Sequence, residues 1–244
     1  MMSRPVQIAC ASCGFMLVIL LFGGLLAAGW VPPLSPADTA DEIAQMYADN
    51  ANGIRLGAVL MLFGAGFTVP LGALIACHIK QIEGDFSPLA NIQVIGAAGG
   101  LFAISMPVLI FGAAAFRPER DPDLLQLLTD LAWVPFIMNG PPAILQAVSF
   151  GVAILGDDRE KPPFPRWFGY FNFWAAFCFL PAFLLVFFKT GPFAWNGLLS
   201  FWLAAALFGG WFLLTSIMLL RAVPPADSAA PDAPAVPREA VGAP

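Results

Sequence analysis

The chain has 244 residues, of which 59% are hydrophobic and 11% are charged, and its formal net charge is −5. A soluble domain has about 25% charged residues, so this composition excludes an ordinary soluble fold. The chain has no cluster of Lys and Arg, so we expect no nucleic-acid partner. The four cysteines fall in or beside apolar segments, unlike an extracellular disulfide framework.

Six apolar runs are long enough to cross a bilayer, because a spanning helix needs about 20 mostly apolar residues. They cover residues 8–30, 54–79, 92–116, 131–155, 167–188 and 195–220. None contains Lys, Asp or Glu, and the only Arg is Arg55, one residue from the end of its run. The sequence therefore predicts an all-α, polytopic membrane protein, with a single domain of six transmembrane helices over residues 1–221.

Two connections predict short helices on the periplasmic or extracellular surface. In residues 35–38, Ser-Pro-Ala-Asp is typical of a helix start, with Ser35 as the N-cap, and residues 50–53 end that segment. Residues 121–123, Asp-Pro-Asp, are a second helix start. We expect this second helix to run along the interface and into the fourth span.

The Lys and Arg residues that flank the spans predict the orientation, because cytoplasmic loops carry more of them. An N-terminus inside the cell places six on the cytoplasmic side and four outside: Arg4, Lys80, Arg159, Lys161, Arg166 and Arg221 against Arg55, Arg117, Arg120 and Lys189. We therefore expect both termini in the cytoplasm and the spans in a bacterial inner membrane. Residues 222–244 are rich in Pro and Ala, which predicts a disordered cytoplasmic tail.

Prolines interrupt four spans, at Pro70, Pro107, Pro141 with Pro142, and Pro181. Proline removes a backbone hydrogen bond and kinks a helix. In the fourth span, Asn139-Gly140-Pro141-Pro142 predicts a full break at membrane depth, where irregular backbone must be buried in protein or line a cavity. Discontinuous helices form substrate sites in transporters. The alternative is a packed kink in which Asn139 caps the second half-helix.

Two charged residues, Arg55 and Asp130, lie near the outer ends of the second and fourth spans. If both are buried we expect them to pair, since charge near hydrocarbon is costly. In the alternative, which we favour, Arg55 reaches the headgroups and Asp130 stays in water. The candidate ligand-binding residues are Asn139, Gly140, Pro141, Pro142, Arg55 and Asp130.

Cys10, Cys13, Cys77 and His78 fall near the cytoplasmic ends of the first two spans. Thiolates and an imidazole can bind Zn²⁺ or Cu⁺. However, the adjacent Cys77 and His78 point about 100° apart on a helix, and free Cys is a common small apolar residue. We therefore predict no metal site and no cofactor, and these four residues are the candidates if a metal is bound.

The chain has no GxSxG, HExxH, phosphate-binding loop or dinucleotide fingerprint, which favours a non-enzymatic role. The leading hypothesis is that it binds or transports an uncharged hydrophobic small molecule or lipid. The alternative is a non-catalytic accessory or assembly subunit of a larger membrane complex, or a homo-oligomer, supported by the GxxxG pair Gly96 and Gly100. A second alternative is a membrane redox or metal protein that uses the Cys/His cluster.

Overall fold

The computed structural model of the protein describes residues 3–224. Within that range the chain is helical and has no β-strand. Six helical stretches are long and apolar enough to cross a membrane, which confirms the predicted all-α bundle of six spans. Of the predicted tail, Ala222 to Pro224 are described and Ala222 ends the last helix, whereas residues 225–244 lie outside the described range.

Each span is a helix or a pair of helical segments. The first span is α1 (Arg4–Ala27), the second α2 (Ala40–Gly66) and α3 (Thr68–Glu83), the third α4 (Pro88–Phe116), and the fourth α5 (Pro122–Met138) and α6 (Pro141–Leu155). The fifth is α7 (Arg166–Cys178) and a 3-10 segment (Leu180–Phe187), and the sixth a π-helical segment (Leu198–Trp202) and α8 (Leu203–Ala222). We call the end of the bundle where α1 begins the near end, and the end where α1 stops the far end.

The predicted helix start at Ser35 is wrong. The helix begins at Ala40, where the Thr39 N–H donates to Glu42 Oε2 (2.7 Å) and the Glu42 N–H donates to Thr39 Oγ1 (3.3 Å), a reciprocal capping box. Ser35 instead begins a turn, in which its N–H donates to a carboxylate oxygen of Asp38 at 3.0 Å. The helix bends at Asn50 (φ −128°, ψ 29°) and continues into the second span. The surface segment and the second span are therefore one bent helix.

The second predicted helix start, at residues 121–123, is confirmed. Asp121 is the N-cap of α5, and its Oδ1 accepts a hydrogen bond from the Asp123 N–H at 3.0 Å. From there α5 continues without interruption to Met138, with Pro135 inside it. The fourth span therefore begins in the far-end connection, as expected.

Two clusters of buried side chains form the core. The far-end cluster is built around Trp30, Phe111 and Trp133, with ring centroids 4.3 Å apart for Trp30 and Phe111 and 5.3 Å apart for Trp30 and Trp133. The near-end cluster includes Phe150 and Phe168, whose centroids are 5.6 Å apart. Phe208 of α8 packs against both clusters, so the two cores meet at its level, partway along α8.

Candidate functional site

The fourth span breaks at Asn139 and Gly140, as the sequence predicts. The Asn139 N–H still donates to the Pro135 carbonyl at 3.1 Å, and the Gly140 N–H folds back to the Met138 carbonyl at 2.8 Å. Pro141 has no N–H, so the Ile137 carbonyl has no donor four residues on. α6 then starts afresh, with the Ile144 N–H donating to the Gly140 carbonyl at 3.0 Å. A break of this kind leaves polar backbone in the middle of a membrane span.

Three other spans lose regular α-helical geometry. The second is interrupted at Phe67, between α2 and α3, three residues before Pro70. The fifth changes from α-helix to the 3-10 segment after Cys178, just before Pro181. The sixth begins with the π-helical segment, a rare geometry that is frequent at functional sites. By contrast, α4 runs continuously through Pro107.

A cavity of about 120 Å³ lies where these interruptions meet. Each of the four irregular spans contributes a residue at or beside its interruption: Thr68, Asn139 with Gly140, Phe179, and Phe201. The rest of the lining is Leu21, Phe22 and Leu25 of α1, Gly100, Ala103 and Ile104 of α4, Phe136 and Ile137 of α5, Pro142, Ala143 and Gln146 of α6, and Ala204, Ala205, Phe208, Trp211 and Phe212 of α8. All of these side chains are uncharged, and most are apolar.

Most polar side chains in the lining are already hydrogen-bonded to the protein. Gln146 Nε2 donates to the Gly96 carbonyl at 3.2 Å and Gln146 Oε1 accepts from Gln93 at 3.2 Å. Thr68 Oγ1 donates to the Ala65 carbonyl at 2.8 Å. Trp211 Nε1 donates to Asn172 at 2.7 Å. These groups hold the bundle together and leave little hydrogen-bonding capacity for a guest molecule.

Asn139 differs from the other polar lining residues. Its carboxamide forms no hydrogen bond with any residue in the described part of the chain, although it is partly buried and lines the cavity. It does not cap α6 through its side chain, because no side-chain hydrogen bond caps that helix. In the described residues, α6 therefore lacks the side-chain cap that the packed-kink alternative expects. The carboxamide retains two donors and an acceptor for another partner.

The candidate residues predicted from the sequence are thus divided between two places. Asn139, Gly140 and Pro142 line the cavity, with Pro141 beside them in the chain. Gly140 also packs tightly, because a Cβ there would lie 3.1 Å from the Phe183 ring of the 3-10 segment. Five further residues line the cavity but are missing from the sequence prediction: Thr68, Gln146, Phe179, Phe201 and Trp211. Gln146 follows Pro142 by four residues on α6, whereas the other four come from other spans.

Arg55 and Asp130 lie away from the cavity and do not form an ion pair. Arg55 Nε donates to the Ala115 carbonyl at 3.0 Å, and its Nη1 donates to Asn52 Oδ1 at 2.9 Å. Asp130 is exposed on α5 and has no ion-pair partner among residues 3–224. Both side chains are exposed, and the ion pair expected for buried charges is absent from the described residues.

The Cys/His group lies near the near end, on α1 and α3. Cys13 donates a hydrogen bond to the Ala9 carbonyl at 3.2 Å, within its own helix. The His78 ring packs against Phe164, with the centroids 5.3 Å apart. Across the described range, no three His, Cys, Asp or Glu side chains come close enough together to hold a metal ion.

The GxxxG pair on α4 faces the interior of the same chain. A Cβ at Gly96 would lie 2.8 Å from Gln146 Cγ, and one at Gly100 would lie 3.4 Å from Gln146 Nε2. These glycines therefore let α4 approach α6 closely. Gly96 and Gly100 therefore give no support for a contact with another chain.

Comparison of the chain with protein-family models, with curated proteins and with solved structures finds no significant similarity.

Proposed function

We propose that this multi-pass membrane protein binds an uncharged, mostly apolar small molecule or part of a lipid in its central cavity. One observation carries the proposal: four spans lose regular helix at the same cavity, and within residues 3–224 Asn139 is the polar side chain of its lining that has no protein partner. Irregular backbone is tolerated at membrane depth where it is buried in protein or lines a cavity. Discontinuous helices of this kind form substrate sites in transporters, so transport is the natural extension of binding.

The lining supports an uncharged guest. A charged group at this depth would need a partner, since ions are costly to place away from water, and the lining offers none. Small-molecule sites are typically apolar with a few well-placed polar groups, which fits a lining of mainly Leu, Ile, Ala, Phe and Pro around Asn139.

The size supports a small guest or one end of a larger one. The cavity has a volume of about 120 Å³. An apolar cavity of about 150 Å³ can hold benzene. The guest, or the part of it that enters, is therefore about the size of one aromatic ring, with a hydrogen-bonding group directed towards the Asn139 carboxamide.

We also propose that the protein lies in a bacterial inner membrane, with the near end facing the cytoplasm. The near end carries Arg4, Lys80, Arg159, Lys161, Arg166 and Arg221, and the far end carries Arg55, Arg117, Arg120 and Lys189. The excess of Lys and Arg on the near end supports that orientation.

The binding proposal is tested by identifying what the full-length protein retains after purification in mild detergent. Wild type is compared with Ala103→Phe, which fills the cavity, and with Ala98→Phe, a matched control that is exposed on the same helix. Extracts are examined by mass spectrometry for neutral small molecules. We expect a species that wild type and Ala98→Phe retain and Ala103→Phe loses. Equal retention by all three proteins, or none by wild type, would refute the proposal.

A further inference from the structure

A second concave site lies on the lipid-facing side of the bundle, between α2 and α4. It is a groove of about 490 Å³ in the far-end half of the second and third spans. Small residues form its floor, where Ala58 of α2 faces Gly112 of α4, and a Cβ at Gly112 would be 3.7 Å from that of Ala58. Exposed Val59 and Leu109 form its sides. The groove is therefore an apolar channel, open to the bilayer, along the direction of an acyl chain.

Two arginines, Arg55 and Arg120, line the far-end mouth of the groove. Arg55 Nε donates to the Ala115 carbonyl at 3.0 Å, and Arg120 Nη1 donates to the Ala113 carbonyl at 2.7 Å. These carbonyls belong to the last turn of α4, where backbone acceptors have no partner within the helix. The carbonyl groups at the end of α4 thus hold both guanidinium groups at the far-end mouth of the groove.

Neither guanidinium group is neutralised by a carboxylate. In the described residues, neither arginine forms an ion pair, although acidic residues are present in the nearby far-end connections. A guanidinium has five N–H donors in a planar fork that matches phosphate geometry. Arg120 uses one donor on the helix end, so four of its five N–H donors remain available beside the apolar channel. Arg55 also donates through Nη1 to Asn52 Oδ1 and through Nη2 to the Phe116 carbonyl, so it keeps its charge and two N–H donors for a phosphate.

We propose that the groove binds an anionic phospholipid from the leaflet at the far end. One acyl chain lies between α2 and α4, and the phosphate is held by Arg55 and Arg120. The apolar floor fits the chain, and the two unneutralised guanidinium groups at the mouth fit the negative headgroup. This site is separate from the central cavity, since the two share no lining residue.

The test measures lipid retention by the delipidated, full-length protein with native mass spectrometry. The probes are dioleoyl-phosphatidylglycerol and dioleoyl-phosphatidylcholine, which have the same chains. Wild type is expected to retain one phosphatidylglycerol in preference to phosphatidylcholine. The double variant Arg55→Gln/Arg120→Gln is expected to weaken phosphatidylglycerol binding about tenfold or more. Millimolar inorganic phosphate is expected not to displace the lipid, because the chain contributes to binding.

Three further variants separate the contributions of charge, groove and fold. Arg117→Gln removes a charge from the same end at a residue outside the groove, and is expected to retain phosphatidylglycerol. Ala113→Leu fills the groove but keeps both arginines, and is expected to weaken both lipids. Arg55→Lys keeps the charge and is expected to retain the preference. Equal retention of both lipids by wild type, an equal loss in Arg117→Gln, or displacement by inorganic phosphate would overturn the proposal.

Discussion

Trp211 Nε1 donates a 2.7 Å hydrogen bond to Asn172 Oδ1, joining α8 to α7 inside the bundle. Both residues are almost fully buried, and Asn172 Nδ2 donates in turn to the Phe168 carbonyl at 2.7 Å. Asn172→Leu leaves the indole N–H without an acceptor and is expected to destabilise the protein by about 1–3 kcal/mol. Thermal unfolding in detergent measures this. In a double-mutant cycle, Asn172→Leu with Trp211→Phe should lower the free energy of unfolding by less than the sum of the two single effects. Strictly additive effects would contradict the pairing.

Gly14 allows α1 and α8 to approach closely. A Cβ at Gly14 would collide with Ser216 Oγ and lie 2.8 Å from the Phe212 carbonyl oxygen. We therefore expect Gly14→Ala to lower stability by about 1–3 kcal/mol, as overpacking does. Gly23 on the same helix has no atom of another described helix within 4 Å of its Cβ position, so Gly23→Ala should be neutral or stabilising by up to about 1 kcal/mol. Equal effects in thermal unfolding would contradict this contrast.

Asp157 at the near end is held by Arg159 in a two-point contact, with Nε donating to Oδ1 at 2.7 Å and Nη2 donating to Oδ2 at 2.6 Å. These bonds hold the pKa of the Asp157 carboxyl below its ordinary value. A lowered folded pKa stabilises the fold above the unfolded value of about 3.9, and the contribution is lost as pH falls through the folded pKa.

Wild type should therefore be more stable than Asp157→Asn at pH 7, and the difference should shrink as the pH is lowered below about 4. Melting temperatures measured from pH 7 to pH 3 test this. Asp158 is exposed and has no ion pair within residues 3–224, so Asp158→Asn is the control and should show no such narrowing. A difference in melting temperature between wild type and Asp157→Asn that stays constant with pH would show that the charge of the Asp157 carboxylate does not stabilise the fold.

The role proposed for Asn139 can be isolated with two small probes, fluorobenzene and 4-fluorobenzyl alcohol, followed by fluorine NMR of the purified protein. They share a ring, and the alcohol adds one hydroxyl. Asn139→Leu is expected to weaken the alcohol about tenfold, the value of roughly one hydrogen bond, and to leave fluorobenzene unchanged. Asn91→Leu, an exposed change on α4, is the control. Equal weakening of both probes would indicate a change of cavity shape rather than a lost hydrogen bond.

The proposed orientation predicts the accessibility of the two ends in whole cells. The four native cysteines are replaced by alanine, and Asp41→Cys or Asp158→Cys is introduced at exposed positions of the far and near end respectively. A membrane-impermeant thiol reagent should label the first variant in intact cells and the second only after permeabilisation. The reverse pattern would invert the orientation.

The sequence predicts those features that depend on residues close together in the chain. Apolar length alone locates the six spans, and Asn139-Gly140-Pro141-Pro142 predicts the break because two successive prolines cannot continue the hydrogen-bond ladder. The wrong helix start at Ser35 also depends on residues that are close together in the chain. The capping-box pattern Thr39-x-x-Glu42 is visible in the sequence, but the Ser-Pro pair before it offers a competing start.

Features that depend on distant residues are not predictable from spacing. Thr68, Phe179 and Phe201 belong to three different spans. They share a cavity only because the bundle places the interruptions of those spans at the same depth. The π-helical segment has no proline or other local signal. Likewise, the Gly96/Gly100 spacing predicts a close helix contact but does not say whether the partner is another chain or, as here, α6.

The divided fourth span has a consequence for how the protein is made. α5 has 17 residues and α6 has 15, so they are about 26 Å and 23 Å long, each shorter than the hydrocarbon thickness of about 30 Å. Neither half can cross the bilayer alone, and their facing ends expose backbone that lipid cannot satisfy. Phe179, Phe201 and Trp211, which line the cavity beside those ends, are all synthesised later. The fourth span is therefore synthesised before the fifth and sixth spans, which complete the cavity around its break. Its stable insertion in the membrane consequently depends on the insertion of the last two spans.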